Sequence, residues 1–482
     1  MMRAANPVVW LPALLATAAG VFAPNALGQT CESPRPTDPQ GSNGVSYGSA
    51  EVDFFDAASG RTRIHFALSG PHAPPAPSTL QPGVPDAVVV AAQAADDALD
   101  EYEKLGYSAP LGDADSPCAS NGDSDAIDVY LVNFAAADGQ AVLDHCQPGL
   151  PQRCAGFVLV ENDFRRGGYA DAAEGLRTVV PHELFHLVQD AYDAGVERWW
   201  AEGSAQWAAK QVYPDLQDLE RFLPSYFDVP WRPLNVPPNG VVTNFLYATA
   251  IWPVFLSERF DAGIVREVFE GFGPDPSDVL ATTDVVLQAH GTSLADEYLQ
   301  FAAYNAATGE RAPDRGGYEN AARYPQVPIT SLTGSEGVLA SDVGSGLCAF
   351  YYSLDTSMPT ELTLEADAGR TKSVLIPVAD GKLQLATAEP LPTTLSGQGV
   401  VVVAGQTLSG TDAPFSLRGS APTPGTGNGG GSGGGSNNDG PSPSGCSLAN
   451  PATNGGFDGL AALFGAILLS RCRVGSRRRK GL

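Results

Sequence analysis

The pentapeptide His182-Glu183-Leu184-Phe185-His186 constrains this chain more than any other stretch. On a helix, histidines four residues apart project from one face, one turn apart. Two neutral imidazoles held that way can grip one Zn2+. They leave the intervening Glu183 beside the metal, placed to take a proton from a bound water. The segment 178–193 reads as that helix, because Val179, Val180, Leu184, Leu187, Val188 and Ala191 form a broad apolar face. Thr178 is the expected N-cap, and Pro181 then falls in the first turn, where its missing N–H costs nothing.

A zinc site of this kind needs a third protein ligand and an open fourth position. The metzincin solution requires Gly at 189 and His at 192, but those residues are Gln189 and Tyr192, and the only later histidine is His290. A carboxylate is therefore expected. Glu202 is the candidate, within Trp200-Ala201-Glu202-Gly203-Ser204-Ala205-Gln206-Trp207, a second helical stretch running to about 212. Its small residues let that helix approach the first closely. Glu197 is the competitor, but it falls in the turn between the two.

At these residues the chain resembles the gluzincin metallopeptidases, in which H-E-x-x-H is followed by a glutamate in an E-G-x-A context on the next helix. More closely, it resembles bacterial secreted metalloproteases carrying an H-E-x-x-H-x-x-Q-x-x-Y-D run and a W-x-E-G-x-A-x-W run. Here these are His182 to Asp193 and Trp200 to Trp207. The resemblance spans roughly residues 45–310, with its specific part in about 25 of them. It implies a zincin-like fold with His182, His186 and Glu202 as zinc ligands and Glu183 as general base. It also implies that the strand before the zinc helix, 156–161 here, lies at the sheet edge and pairs with an extended substrate. The gluzincin pattern often places an aspartate four residues after the third ligand, to orient a histidine; this chain has Gln206 there.

The ends bound the compartment. Residues 1–28 read as a secretory signal: Arg3, an apolar core over 8–22, and a small-residue cleavage site at Ala26-Leu27-Gly28. Residues 421–445 are a Gly/Ser/Pro-rich linker. Beyond them come Cys446, an apolar run over 459–469 and the cluster Arg477-Arg478-Arg479-Lys480. That run is short of the roughly 20 residues that span a bilayer. Cysteine, short apolar segment and terminal arginines resemble the MYXO-CTERM class of sorting signals, which implies processing at Cys446 and attachment to the cell surface. The expected location is therefore exported, at the cell surface (outer membrane) or extracellular after processing. The expected partners are the export machinery and a C-terminal processing enzyme, with the membrane touched only through the tail.

An oxidising compartment permits disulfides. Cys146 and Cys154 flank the turn-rich Gln147-Pro148-Gly149-Leu150-Pro151 and are expected to pair, leaving Cys31, Cys118 and Cys348 without assigned partners. The formal net charge of −26 argues against nucleic acid as a partner. Asp113, Asp115, Asp123, Asp125 and Asp128 are a candidate calcium cluster; their spacing does not match an EF-hand loop, and a solvated acidic loop is the simpler reading.

The fold class expected is α+β. Strands at 63–68, 126–134 and 155–160 and a helix at 86–105 suit a small sheet packed on the zinc helix. A helical second half follows, with helices at 244–259 (kinked at Pro253), 262–272 and 293–306. Tyr247 is a candidate donor to a reaction oxyanion, while His65 and His290 read as structural. Alternating runs over 328–420 read as a separate small all-β sandwich. The function expected is a secreted zinc endopeptidase acting on a peptide or protein substrate. An aminopeptidase of the same zinc arrangement and an inactive surface adhesin on a peptidase scaffold are the rivals.

Overall fold

The computed structural model describes residues 34–422, apart from 77, 114–123, 136, 150, 167, 240–243, 274–277 and 409. The expected signal, most of the linker, the expected sorting segment with Cys446, and Cys31 and Cys118 lie outside the described residues. Among the described residues, no helix is long and apolar enough to cross a membrane.

The first half is a five-stranded sheet covered by helices. Its strands are β1 (Val52–Asp56), β2 (Thr62–Ala67), β3 (Ile127–Val132), β4 (Gly139–Cys146) and β5 (Cys154–Glu161), in the order β1-β2-β3-β5-β4. β2, β3 and β5 are parallel, and β1 and β4 close the two edges antiparallel. Helix α1 (Asp86–Lys104) makes the crossover from β2 to β3 that a parallel pair requires. Side chains alternate across the sheet. Ile64, Val129, Leu131, Val158 and Val160 face the helices, while Tyr130, Val132, Phe157 and Leu159 face the segment around Val45 and Tyr47. β5 is buried along its whole length, as a strand covered on both faces must be. It is also flanked on both sides, so the expectation that 156–161 forms the edge is corrected: the edge beside the motif helix is β4.

The motif helix, α2, runs over Ala172–Asp193 and starts earlier than Thr178. Asp171 is its N-cap, accepting from the Glu174 amide at 2.9 Å, while the Glu174 carboxylate accepts from the Ala170 amide at 2.8 Å. Pro181 therefore sits inside the helix, where the Tyr102 hydroxyl of α1 donates to its carbonyl at 2.7 Å. Helix α3 (Arg198–Val212) follows after a short turn. The two helices pack closely because α3 carries Gly203, Ser204 and Ala205, all buried.

The helical half continues with α4 (Asp218–Phe222), α5 (Pro224–Phe227), α6 (Asn244–Ala248), α7 (Ile251–Arg259), α8 (Gly263–Glu270), α9 (Val279–Ala289) and α10 (Leu294–Ala306). The expected helix over 244–259 is two helices, broken at Thr249-Ala250 ahead of Pro253. Thr249 donates to the Trp199 carbonyl at 2.7 Å, and Gly203 packs so tightly there that a Cβ would lie 2.6 Å from the Thr249 hydroxyl oxygen.

The C-terminal strands are β6 (Thr330–Ser331), β7 (Gly337–Ser345), β8 (Ala349–Ala366), β9 (Thr371–Ala379), β10 (Lys382–Leu383), β11 (Glu389–Pro390), β12 (Thr393–Gly405) and β13 (Asp412–Ser420). They form one sheet in the order β10-β9-β12-β8-β13-β7, not two separate sheets. The sheet rolls over itself through the long β8. Phe415 of β13 pairs by register with Ala366, yet its ring lies against Phe350 and Tyr352 near the other end of β8. The inner layer of the roll is Leu354, Leu362, Leu395, Val401, Val403 and Leu417. Its opposite face (Ala349, Tyr351, Val400, Val402) joins the same core as Tyr298 and Phe301 of α10. The described residues form one compact unit, and the β-rich segment shares its core with the helices.

Candidate metal centre

Three side chains converge where α2 meets α3. His182 and His186 stack edge to face on α2, ring centres 4.9 Å apart. Glu202, one turn into α3, brings its Oε2 to 3.3 Å from His182 Nε2 and 3.6 Å from His186 Nε2. One potential ligand atom from each of the three lies within 4.8 Å of the other two, and this group could hold a metal ion. Glu197 is elsewhere: it N-caps α3, and its carboxylate accepts from Trp199 Nε1 at 3.2 Å and the Val279 amide at 3.3 Å.

The surroundings fit a cation. All three groups are nearly buried, and His186 Nε2 has no hydrogen-bond partner. A buried nitrogen left without a partner is costly unless something coordinates it. Burial favours the neutral acid at Glu202, but the two histidines overcome that and hold its carboxyl well below the usual range. The other nitrogen of His186 is fixed by a residue to which the sequence reading gave no role: Nδ1 lies 2.9 Å from Gln189 Oε1. Gln189 is itself locked, its amide donating to the Ala201 carbonyl at 2.8 Å and to Ser204 Oγ at 3.0 Å. Its place as the glutamine of the H-E-x-x-H-x-x-Q run was the available signal.

Glu183 is fully buried, and the polar backbone group turned toward its carboxylate is the Ala141 amide of β4. Burial pushes its carboxyl up, against the pull of both histidines. The β4 backbone passes hard against it: a Cβ on Gly139 would lie 2.6 Å from Glu183 Oε1 and 2.5 Å from Val179 Cγ1. Tyr247 of α6 closes another side, its ring centre 5.8 Å from that of His182, and its buried hydroxyl has no partner. Desolvation first, then Glu202 and Glu183, hold that phenol protonated far above its ordinary range. Gln206, standing where the gluzincin pattern has an aspartate, donates to Asp218 of α4 at 2.9 Å.

The other expected sites fall out differently. Cys146 and Cys154 form a disulfide across the β4–β5 hairpin, and Cys348 is a buried free thiol. Where it is described the acidic cluster divides, with Asp125 exposed to solvent and the other two turned inward. Asp113 and Asp128 turn inward onto the fully buried guanidinium of Arg35, joined by Asp144 of β4, with Arg35–Asp128 and Arg35–Asp144 contacts of 2.8 Å. His65 adds a 2.8 Å contact to Asp128. The cation these carboxylates meet is Arg35, 78 residues before Asp113 in sequence. Asp115 and Asp123 lie outside the described residues. His290 pairs with Glu267 at the surface, 2.7 Å away.

No family model matches the chain, and no curated protein does. Among solved structures, a periplasmic inhibitor of g-type lysozyme from Aeromonas hydrophila, PliG, is similar at 12% identity over 19% of this chain and 96% of that one. The TM-score of 0.15 is too low for that likeness to bear on fold or function.

Proposed function

We propose that this chain is a zinc metallopeptidase, an endopeptidase that hydrolyses peptide bonds, exported and held at the cell surface through its C-terminal segment. The observation that carries the reading is the meeting of His182, His186 and Glu202 with the fully buried Glu183 carboxyl beside them. Two imidazoles and one carboxylate are a donor set that suits zinc and leaves a position open. When bound, zinc supplies Lewis acidity, making a water acidic near neutral pH and polarising a carbonyl.

The chain's own residues supply the rest. Gln189 fixes His186 so that Nε2 faces Glu202. Glu183 accepts a proton from the attacking water and returns it to the departing amine; its raised carboxyl pKa is the direction that strengthens it as a base. Tyr247 stays protonated beside His182 and can donate to a developing oxyanion.

The test separates metal from chemistry. Glu202→Ala should lose bound zinc on dialysis. Glu183→Gln should keep the metal while hydrolysis of an unstructured protein falls by about 10²-fold or more. If the zinc-loaded native protein leaves such a substrate intact across neutral pH, the peptidase reading is wrong.

A further inference from the structure

The cavity that touches His182 and Glu183 is almost shut. It holds about 10 Å³, room for one water at most and far too little for a peptide. Five of the seven residues that line it are buried, and the two that reach solvent are Tyr169 and Asp218. One side chain ties these two walls together. Arg221 pairs with Asp218 at 3.0 Å, and its guanidinium carbon lies 5.3 Å from the centre of the Tyr169 ring. Each wall is also anchored inward. The Tyr169 hydroxyl donates to Asp138 at 3.3 Å, beside Gly139 of β4, and Asp218 accepts from Gln206 of α3 at 2.9 Å. A continuous chain of contacts therefore crosses from β4 to α3, and Arg221 is its central link. The Arg221 side chain is 47% exposed, on the short helix α4. Ion pairs and cation–π contacts at such exposed positions are weak, so this link breaks and reforms while the inner ones hold.

We propose that Arg221 is a strap across the metal centre, and that its release from Tyr169 and Asp218 opens the path by which zinc and a peptide reach His182 and Glu183. The inference rests on the peptidase reading and adds a control on access to that site. Tyr169 lies just before α2, and Asp218 opens α4. Neither belongs to the packed contact between α2 and α3, so the walls can part while His182, His186 and Glu202 keep their places. Opening of a surface segment over a closed site sets the rate of entry and release. A strap adds one barrier common to both directions. It therefore slows entry and exit by the same factor, and it leaves affinity unchanged because it closes the empty and the loaded site alike. A residue that only supported the fold would act through affinity instead.

The test follows zinc uptake by the intact metal-free protein, and zinc release from the loaded protein into an excess of chelator. Arg221→Gln should quicken uptake and release by about tenfold each, with their ratio, the dissociation constant, unchanged. Arg221→Lys keeps a charge toward Asp218 but loses the flat guanidinium over Tyr169, and its rates should fall between the two. Arg221 is half-exposed, and the lysine variant keeps the test decisive if the glutamine variant does not fold. Rates that match the native protein in both variants overturn the proposal. So does a weakened affinity with uptake unchanged, which would mark Arg221 as support for the fold, and so does a native protein that takes up no zinc. Hydrolysis of an unstructured protein separates the two readings. Zinc exchange quickened by Arg221→Gln with no peptide cut by any of the proteins supports the strap and removes the peptidase reading. Peptides cut with exchange rates unmoved remove the strap and leave the peptidase reading standing.

Discussion

An imidazole has two nitrogens, and the partner of one decides what the other can do. At His186 the carbonyl oxygen of Gln189 takes the Nδ1 side, so Nε2 is the nitrogen presented to Glu202. Gln189 can hold that position because its amide end is anchored to α3 at Ala201 and Ser204. Gln189→Leu is close in volume and removes both ends of this relay. Zinc affinity should fall by about 10–100-fold, read by competition with a chelator of known affinity, while far-ultraviolet dichroism stays native. Unchanged affinity would mean that packing alone orients His186.

At the scale of elements, β4 is the strand with the least room. Gly139 lets its backbone lie against Glu183 and Val179, and Gly156 on β5 is as crowded, since a Cβ there would come within 2.8 Å of Leu187 Cδ2. Gly139→Ala forces either β4 or α2 to shift. It should destabilise the metal-free chain by about 1–3 kcal/mol in urea unfolding, and a substitution without cost would contradict the close approach. β4 is also where sequence reading reached least. Gly139-Gln140-Ala141-Val142-Leu143-Asp144 has weak strand propensity and a register irregularity near Leu143, so the strand is defined by pairing with β5 more than by its own residues. β5, β3 and α1 were legible because their burial imposes apolar runs or helical periodicity. The early start of α2 was also written in the chain, as Asp171 with Glu174 three residues on, but Pro181 drew the expected boundary inward. The candidate site was legible where the two motifs sit on adjacent helices. The anchoring of Gln189 to Ala201 and Ser204 was not, because it depends on which elements meet.

For the whole molecule, carboxyls set the response to pH. Burial, ahead of every other influence, raises Asp113 to about 6 and Glu161 and Glu258 to about 7. In the unfolded chain such groups ionise near 4. Between those values the folded form holds protons that the unfolded form has lost, so stability declines as pH rises from about 4 to 7. Asp86, Asp296 and Asp314 are shifted down, and their contribution disappears only below their ordinary range. The net charge of −26 adds self-repulsion in the same direction. The chelator-treated protein should therefore show a higher urea midpoint at pH 5 than at pH 7.5; a midpoint that rises over that interval refutes this account.

The shared core has a consequence for time as well as space. A ribosome completes His182, His186 and Glu202 less than halfway along the chain, but the core that backs them includes Tyr351, Val400, Val402 and Ala404 from the rolled sheet. β8 in turn needs β13, which ends at Ser420, to pair its second half. The three converging side chains are thus written early and held late. Any chemistry they support stays latent in a growing chain, and begins only once the last strand has found its place.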